Sequence, residues 1–314
     1  MMLLGNRLRV LMAALTLVWV HGAYAAGTVE PAMTVAHAQA SPLVAVAKAG
    51  TRVVAVGDHG VVVMSDDGEH WRQANTVPVD SLLTALTFVD DQQGWAVGQA
   101  GVILHTTDGG EHWTLQQRLD EQPGLLSLWF ENERHGIVVG AYGYAAQTQD
   151  GGQSWQRLQV GEDGDDYHLN HLFASSDGTL FIAAEMGNAY RSTDHGATWQ
   201  ALDTGATGSL WSGLGLRDGQ VLLAGMTGRV LLGDPAGDNW QTLDSGTEEA
   251  ITALAQLADG RVALVGNGGM TAISDAALTR FTVKVREDRV NLAALAPLND
   301  EQIILVGSAG VMPQ

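Results

Sequence analysis

The sequence predicts an all-β fold: a seven-bladed β-propeller of four-stranded antiparallel blades, its ring closed by an N-terminal strand. Three observations predict it. A polar turn ending in tryptophan recurs at residues 106–113 (TTDGGEHW), 148–155 (TQDGGQSW) and 192–199 (STDHGATW), with altered copies at 64–71 and 233–240. Its tryptophans, at 71, 113, 155, 199 and 240, are 42, 42, 44 and 41 residues apart, the period of a propeller blade. A Gly-x-x-Gly step carries the same period, its leading positions being 57, 98, 140, 184, 225, 266 and 307, with Ala184 in place of glycine in the fourth. Beyond an apolar run near the N-terminus, no segment sustains a 3.6-residue hydrophobic period, so almost no helix is expected.

Each residue type in the tryptophan motif has a mechanical task. The aspartate heads a tight turn and accepts backbone N–H groups that the turn leaves free. The glycine two positions on adopts positive φ without steric cost. The tryptophan starts the next strand and buries a large apolar face between units. Aligned on the tryptophans, these residues are Asp66, Gly68 and Trp71; Asp108, Gly110 and Trp113; Asp150, Gly152 and Trp155; and Asp194, Gly196 and Trp199. The fifth copy has Pro235 at the aspartate position. The sixth has lost the turn and keeps only Phe281 for the tryptophan. A staple can decay blade by blade in this way, so the motif reads as structural and not catalytic.

A blade then reads as four strands. In the second unit these are 82–89, 94–98, 102–106 and 113–117, and the other first strands are 43–48, 125–130, 168–174, 210–216, 251–257 and 291–297. These first strands are rich in Leu and Ala, as expected around a crowded axis. Both glycines of each step are expected to supply the positive φ of a short reversal. The seventh unit stops inside its third strand, and residues 28–36 (TVEPAMTVA) precede the first unit at the spacing of a fourth. That strand is expected to complete the last blade and cover its open edge. A six-bladed ring is the alternative.

Arg7 and Arg9, an apolar run over 10–20 and the Ala23-Tyr24-Ala25 site read as a secretory signal peptide over 1–25, leaving 26–314 as one propeller domain. The apolar run is short for a membrane span. The chain has no cysteine. That excludes a lipoprotein anchored through cysteine, disulfides and thiolate metal sites, and an exported chain of this kind suits a bacterial periplasm. No direct membrane insertion is expected after cleavage. The net charge of −19 becomes −21 when Arg7 and Arg9 leave with the signal. Nucleic acid and anionic membranes, which need clustered Lys and Arg, are thereby disfavoured as partners. The charge reads as solubility, or as complementarity to a basic partner.

The pattern S/T-x-D-x-G-x-x-W is the Asp-box, or BNR repeat. With the Gly-x-x-Gly step at a period of 41–44 residues, the chain resembles, over residues 28–314, the photosystem II assembly and stability factor family of seven-bladed propellers, and most of all its exported bacterial members. The resemblance implies a non-enzymatic factor that binds a protein partner. The arginine-rich patch of photosynthetic members is not carried over, because the arginines here are scattered, as at Arg52, Arg157, Arg191, Arg217 and Arg229. Non-photosynthetic relatives accompany exporters of the resistance-nodulation-division type, which implies a membrane transporter complex as partner.

The competing function is a sialidase-like glycosidase, since Asp-boxes also occur in sialidases. Such an enzyme needs converging arginines and a tyrosine, or two carboxylates about 5–10 Å apart. No arginine or acid stands at an axis-facing first-strand position, and no catalytic residue is assigned. The acidic run 162–166 (EDGDD) contains Ca²⁺-type ligands, but its spacing is that of no EF-hand and it reads as a solvated loop. No metal or cofactor is expected. Strand alternation puts His168 and Asn170 on one face and Leu169 and His171 on the other, which excludes a paired His site. The rim carrying the Gly-x-x-Gly loops is the expected binding surface, with Asp58, His59, Tyr142, Glu185 and Asn267 as its candidate residues.

Overall fold

The Val, Leu and Ala runs before each Gly-x-x-Gly step, such as Gly94–Gly98, Leu180–Ala184 and Val262–Gly266, are buried along their whole length. A strand buried on both faces must lie in a sheet sandwiched between two others. The computed structural model, which describes residues 30–299 and 302–313, has that arrangement: seven antiparallel sheets packed in a ring. The signal peptide over 1–25 lies outside the described residues. Blades one to six have four strands each; blade seven has three, Leu292–Pro297, Ile303–Gly307 and Gly310–Met312. The only helical elements among the described residues are short 3₁₀ turns, and no helix is long and apolar enough to cross a membrane.

The closing strand differs from expectation. Residues 30–36 form no strand and lie against blade one. Ala32 donates to the Val77 carbonyl (3.0 Å), Val35 donates to Gln73 Oε1 (3.0 Å), and Gln73 Nε2 donates to the Met33 carbonyl (2.9 Å). Pro31 has no N–H to give to a ladder, and a glutamine side chain takes the place of backbone pairing. Residues 28 and 29 lie outside the described residues. The ring closes by face packing: Leu43, Val53 and Val63 of blade one meet Ile304 and Val306 of blade seven. Lys48 Nζ adds a bond to the Leu298 carbonyl (3.2 Å).

The Asp-box turns sit between strands three and four and plug the seam toward the preceding blade. In blade two the Thr106 hydroxyl donates to Asp108 (2.9 Å) and accepts from Gly110 N (3.1 Å). Asp108 accepts from His112 N (3.0 Å), and Trp113 Nε1 donates to the Gly110 carbonyl (3.0 Å). Blades three and four repeat this with Asp150, Gly152 and Trp155 and with Asp194, Gly196 and Trp199. Blade one corrects the alignment. Its turn is one residue shorter, Ser65 and Asp67 play the parts of Thr106 and Asp108, and Asp66 instead pairs with Arg52 (2.6 Å). Gly68 and Trp71 keep their parts, with Trp71 Nε1 donating to the Gly68 carbonyl (3.2 Å).

The carboxylate staple also outlives its motif. In blade five Asp234, beside Pro235, accepts from Asp238 N (3.0 Å), and Trp240 Nε1 donates to the Gly237 carbonyl (2.8 Å). In blade six Asp275 accepts from the backbone and hydroxyl of Thr279 (2.8 and 2.6 Å). The aspartate has moved one place toward the N-terminus, which a fixed-spacing motif cannot follow. These bonds favour the carboxylate. The Ser154 hydroxyl and then the Ser154 N–H hold Asp150 down to about 2. Stability from a depressed carboxyl is present above the unfolded value, near 4, and is lost as pH falls through the folded one. Asp150→Asn should therefore flatten the acid fall of the urea midpoint between about pH 4 and 2; an unchanged slope would remove Asp150 as its source.

Candidate binding rim and axial channel

Six of the seven Gly-x-x-Gly steps fold as 3₁₀ turns between strands two and three, the seventh, over 307–310, is a plain turn, and all lie on one rim. Only the second glycine takes positive φ. The first is extended and serves close approach: a Cβ on Gly225 would stand 2.1 Å from the Ser209 carbonyl oxygen. The positive φ expected there falls one residue before the second glycine, on His59 (51°), Ala100 (56°), Tyr142 (54°), Met186 (59°), Thr227 (57°) and Gly268 (63°). Left-handed backbone is unfavourable for bulky side chains. Gly268 fills the position in blade six, so the turn itself does not require a side chain there.

The rim brings together two of the five expected residues. Tyr142 of blade three packs edge-on against His168 (4.8 Å between ring centroids), and its N–H donates to His168 Nδ1 (3.3 Å). Glu185 of blade four lies 3.6 Å from the same ring nitrogen and accepts from His168 N (3.2 Å). Asp58 and His59 pair with each other on blade one, where Asp58 Oδ1 accepts from His59 N (2.9 Å). Asn267 stands on blade six, its N–H bound to the Ala250 carbonyl (3.0 Å). These three are on the same rim but on other blades.

The residues that complete the Tyr142 region are Met186 and Met226. Tyr142 is 74 % exposed, Met186 61 % and Met226 42 %. They stand on consecutive blades three, four and five and form an apolar arc. The arc is linked by the His168 contacts and by a bond from Met186 N to Ser209 Oγ (3.4 Å). The backbone of Asp165, in the acidic loop, lies against Gly143 next to Tyr142. The sequence signal for Met226 was its place in the step, directly after Gly225; polarity alone passed over it.

The axial channel, of about 300 Å³, is lined by first strands from all seven blades. Each first strand carries a β-bulge near its start, which strict alternation does not anticipate. In blade four the bulge falls between Leu169 and His171. Leu169 is buried, while Asn170 and His171 both line the channel, so the expected pairing of faces is overturned. The bulged Thr84, Asn170 and Thr252 tie neighbouring blades by donating to the carbonyls of Leu125 (2.7 Å), Leu210 (2.8 Å) and Leu292 (2.9 Å). His171 Nδ1 accepts from Gly213 N of blade five (3.1 Å), and burial in the protein's depth pushes the imidazole down to about 4. No Asp, Glu, Arg or Tyr lines the channel. Among the described residues no group of three or more His, Asp or Glu converges to hold a metal.

The comparisons with known proteins agree on the fold. A solved structure of YCF48 bound to D1 peptide is 20% identical, over 87% of this chain and 92% of that one, with a TM-score of 0.72. YCF48 from Cyanidioschyzon merolae is 17% identical, over 87% and 94%, with a TM-score of 0.70. Virginiamycin B lyase from Staphylococcus aureus, at 10% identity over 88% and 94% and a TM-score of 0.75, shares the fold alone. No curated protein matches the sequence. The family described as photosynthesis system II assembly factor YCF48 matches residues 63–314. The blade count, the Asp-box turns and this match together place the chain in the YCF48 family.

Proposed function

We propose that the protein is a non-enzymatic assembly or accessory factor of the periplasm. It binds a protein partner through the rim at blades three to five, and the partner is a membrane exporter of the resistance-nodulation-division type. The observation that carries the binding reading is the exposed arc of Tyr142, Met186 and Met226. Apolar side chains gathered on one rim and set among polar groups are the composition of an interface core with its polar surround. Two of the three are held in left-handed backbone that glycine would occupy more easily. Glu185 and the nearby acidic loop favour a partner segment bearing apolar and basic side chains. The peptide bound to the related YCF48 supports peptide recognition within the family. The glycosidase reading has no equivalent support, since the channel wall offers neither a carboxylate pair nor converging arginines.

Tyr142→Gly separates binding from folding. It relieves the left-handed strain, so stability should hold or rise by about 0.5–1 kcal/mol. Capture of the partner from a native periplasmic or membrane fraction should fall by about tenfold, as for an aromatic anchor. Undiminished capture by the variant, with the exporter or without it, would remove this rim from the binding reading.

A further inference from the structure

The bulge in each first strand sets one register around the axis, and the residue after it lines the axial channel in all seven blades. Blades one, two, six and seven place alanine there. Blades three and five place Ser127 and Ser212, and blade four alone places a large side chain, His171. Small side chains from six blades cannot close the axis, which leaves the channel its volume of about 300 Å³. Ligand pockets begin at about that size.

The wall of this channel has two unlike halves. Around blades one, two, six and seven it is apolar, with Val46, Leu86, Leu254 and Leu295 beside the alanines. The threonines of that half, Thr84 and Thr252, spend their hydroxyls on neighbouring carbonyls. Around the consecutive blades three, four and five it is polar, with Ser127, Asn170, His171 and Ser212.

The polar half has bonding capacity left over. Ser127 Oγ accepts from Leu172 N (3.1 Å), which leaves its own hydrogen to give. Asn170 gives its amide N–H to the Leu210 carbonyl (2.8 Å) and keeps Oδ1 as an acceptor. His171 Nδ1 accepts from Gly213 N (3.1 Å), so the neutral ring carries its hydrogen on Nε2. The Ser212 side chain, only 5 % exposed, has no bond within the described residues. The described side-chain atoms sealed away from any partner lie elsewhere, on Gln116, Arg118 and His135. The spare groups of Asn170, His171 and Ser212 therefore open into the channel.

This arrangement fixes the chemistry of what fits. With Nδ1 occupied, His171 presents an N–H and cannot take a proton from a neighbouring serine, so the site binds and does not react. No Asp, Glu, Lys or Arg lines the channel, and an ion taken into it would be without a counter-charge. The occupant is uncharged. Two donors and one acceptor on adjoining blades call for a carbonyl beside an N–H, and the opposite wall calls for an apolar body.

We propose that the axial channel is a binding site for a small uncharged molecule bearing a primary amide or lactam on an apolar ring. Its carbonyl accepts from His171 Nε2 and Ser212 Oγ, its N–H donates to Asn170 Oδ1, and its ring lies against the alanine and leucine wall. The site is separate from the rim surface around Tyr142 and does not depend on the partner reading.

The probe is benzamide, titrated into the purified protein and followed by nuclear magnetic resonance of the histidine side chains. Saturable binding in the millimolar range is expected, with a shift of the His171 Nε2–H signal. Benzoate and benzylamine, the same ring with a negative or positive charge, should bind at least about tenfold more weakly. Ala294→Leu fills the channel from its apolar side and should weaken benzamide about tenfold. Ser212→Ala removes a hydroxyl that has no bond in the protein, so the unfolding midpoint should hold while benzamide weakens about fivefold, as for one net hydrogen bond. Absence of saturation by about 50 mM, above the range expected of so small a ligand, overturns the proposal. So does benzoate binding as tightly as benzamide, or benzamide affinity unmoved by the two substitutions, which would put the probe outside the channel.

Discussion

Replacing Trp113 with alanine should lower the stability of the propeller by about 3–5 kcal/mol, the usual cost of removing a large aromatic from a packed interior. Trp113 is 1 % exposed, the most buried of the box tryptophans. It meets Phe88 edge-on at 6.2 Å and closes the seam between blades one and two with Val54, Val56 and Met64. Its indole N–H also satisfies the Gly110 carbonyl, so truncation leaves a cavity and an unpaired acceptor together. Urea unfolding followed by far-UV circular dichroism measures the loss. The half-buried Trp199, at the same place in blade four, should cost less on truncation. Equal losses at the two positions would mean that seam burial does not set the cost.

Acid should destabilise the protein between about pH 6.5 and 4, with His171 the main source. The folded imidazole is pushed down to about 4 by burial, and its Nδ1 is engaged as an acceptor from Gly213 N. Protonation must displace that bond and place a charge in the confined channel, where burial disfavours it. The unfolded chain takes up the proton near pH 6.5. The folded chain resists until about 4, so stability is complete above 6.5 and declines between the two values. The full span amounts to about 3 kcal/mol. The expected observation is a fall in the unfolding midpoint across that window, which His171→Gln reduces by more than half because an amide oxygen accepts the same bond without titrating; the remainder belongs to half-buried His105, which burial also pushes down. An undiminished fall after the substitution would assign it to other groups. The carboxylate contribution from the boxes lies lower, toward pH 2, so the two effects separate on the pH axis.

Blade number, strand order and the tryptophan turns were legible because each repeats at 41–44 residues, and repetition averages away local exceptions. The second unit shows how closely: strands at Gly94–Gly98 and Val102–Thr106 coincide with the predicted spans. The exceptions are where pattern gave way. Asp67 replaces Asp66 in the box of blade one because a turn one residue shorter satisfies the same donors, and spacing alone cannot register a contraction. Asp234 and Asp275 staple turns whose motif looks lost, because the bond needs a carboxylate within reach of a backbone N–H and not a fixed place in the sequence.

The candidate site was half legible. Tyr142 and Glu185 were placed on the right rim by chain reversal, yet nothing in the sequence states that His168 joins them or that Met226 extends their surface. Adjacency between blades is a property of the ring. The bulge that turns Asn170 and His171 together into the channel is set by backbone packing around the axis, where the seven first strands crowd one another. By itself the sequence determined a propeller, its period and the chemistry of its turns, since these depend on contacts within one repeat. The tertiary structure alone decided the apolar arc and the neutral histidine of the axial channel. Each of these arises between blades, where residues about 40 positions apart or at opposite ends of the chain come into contact.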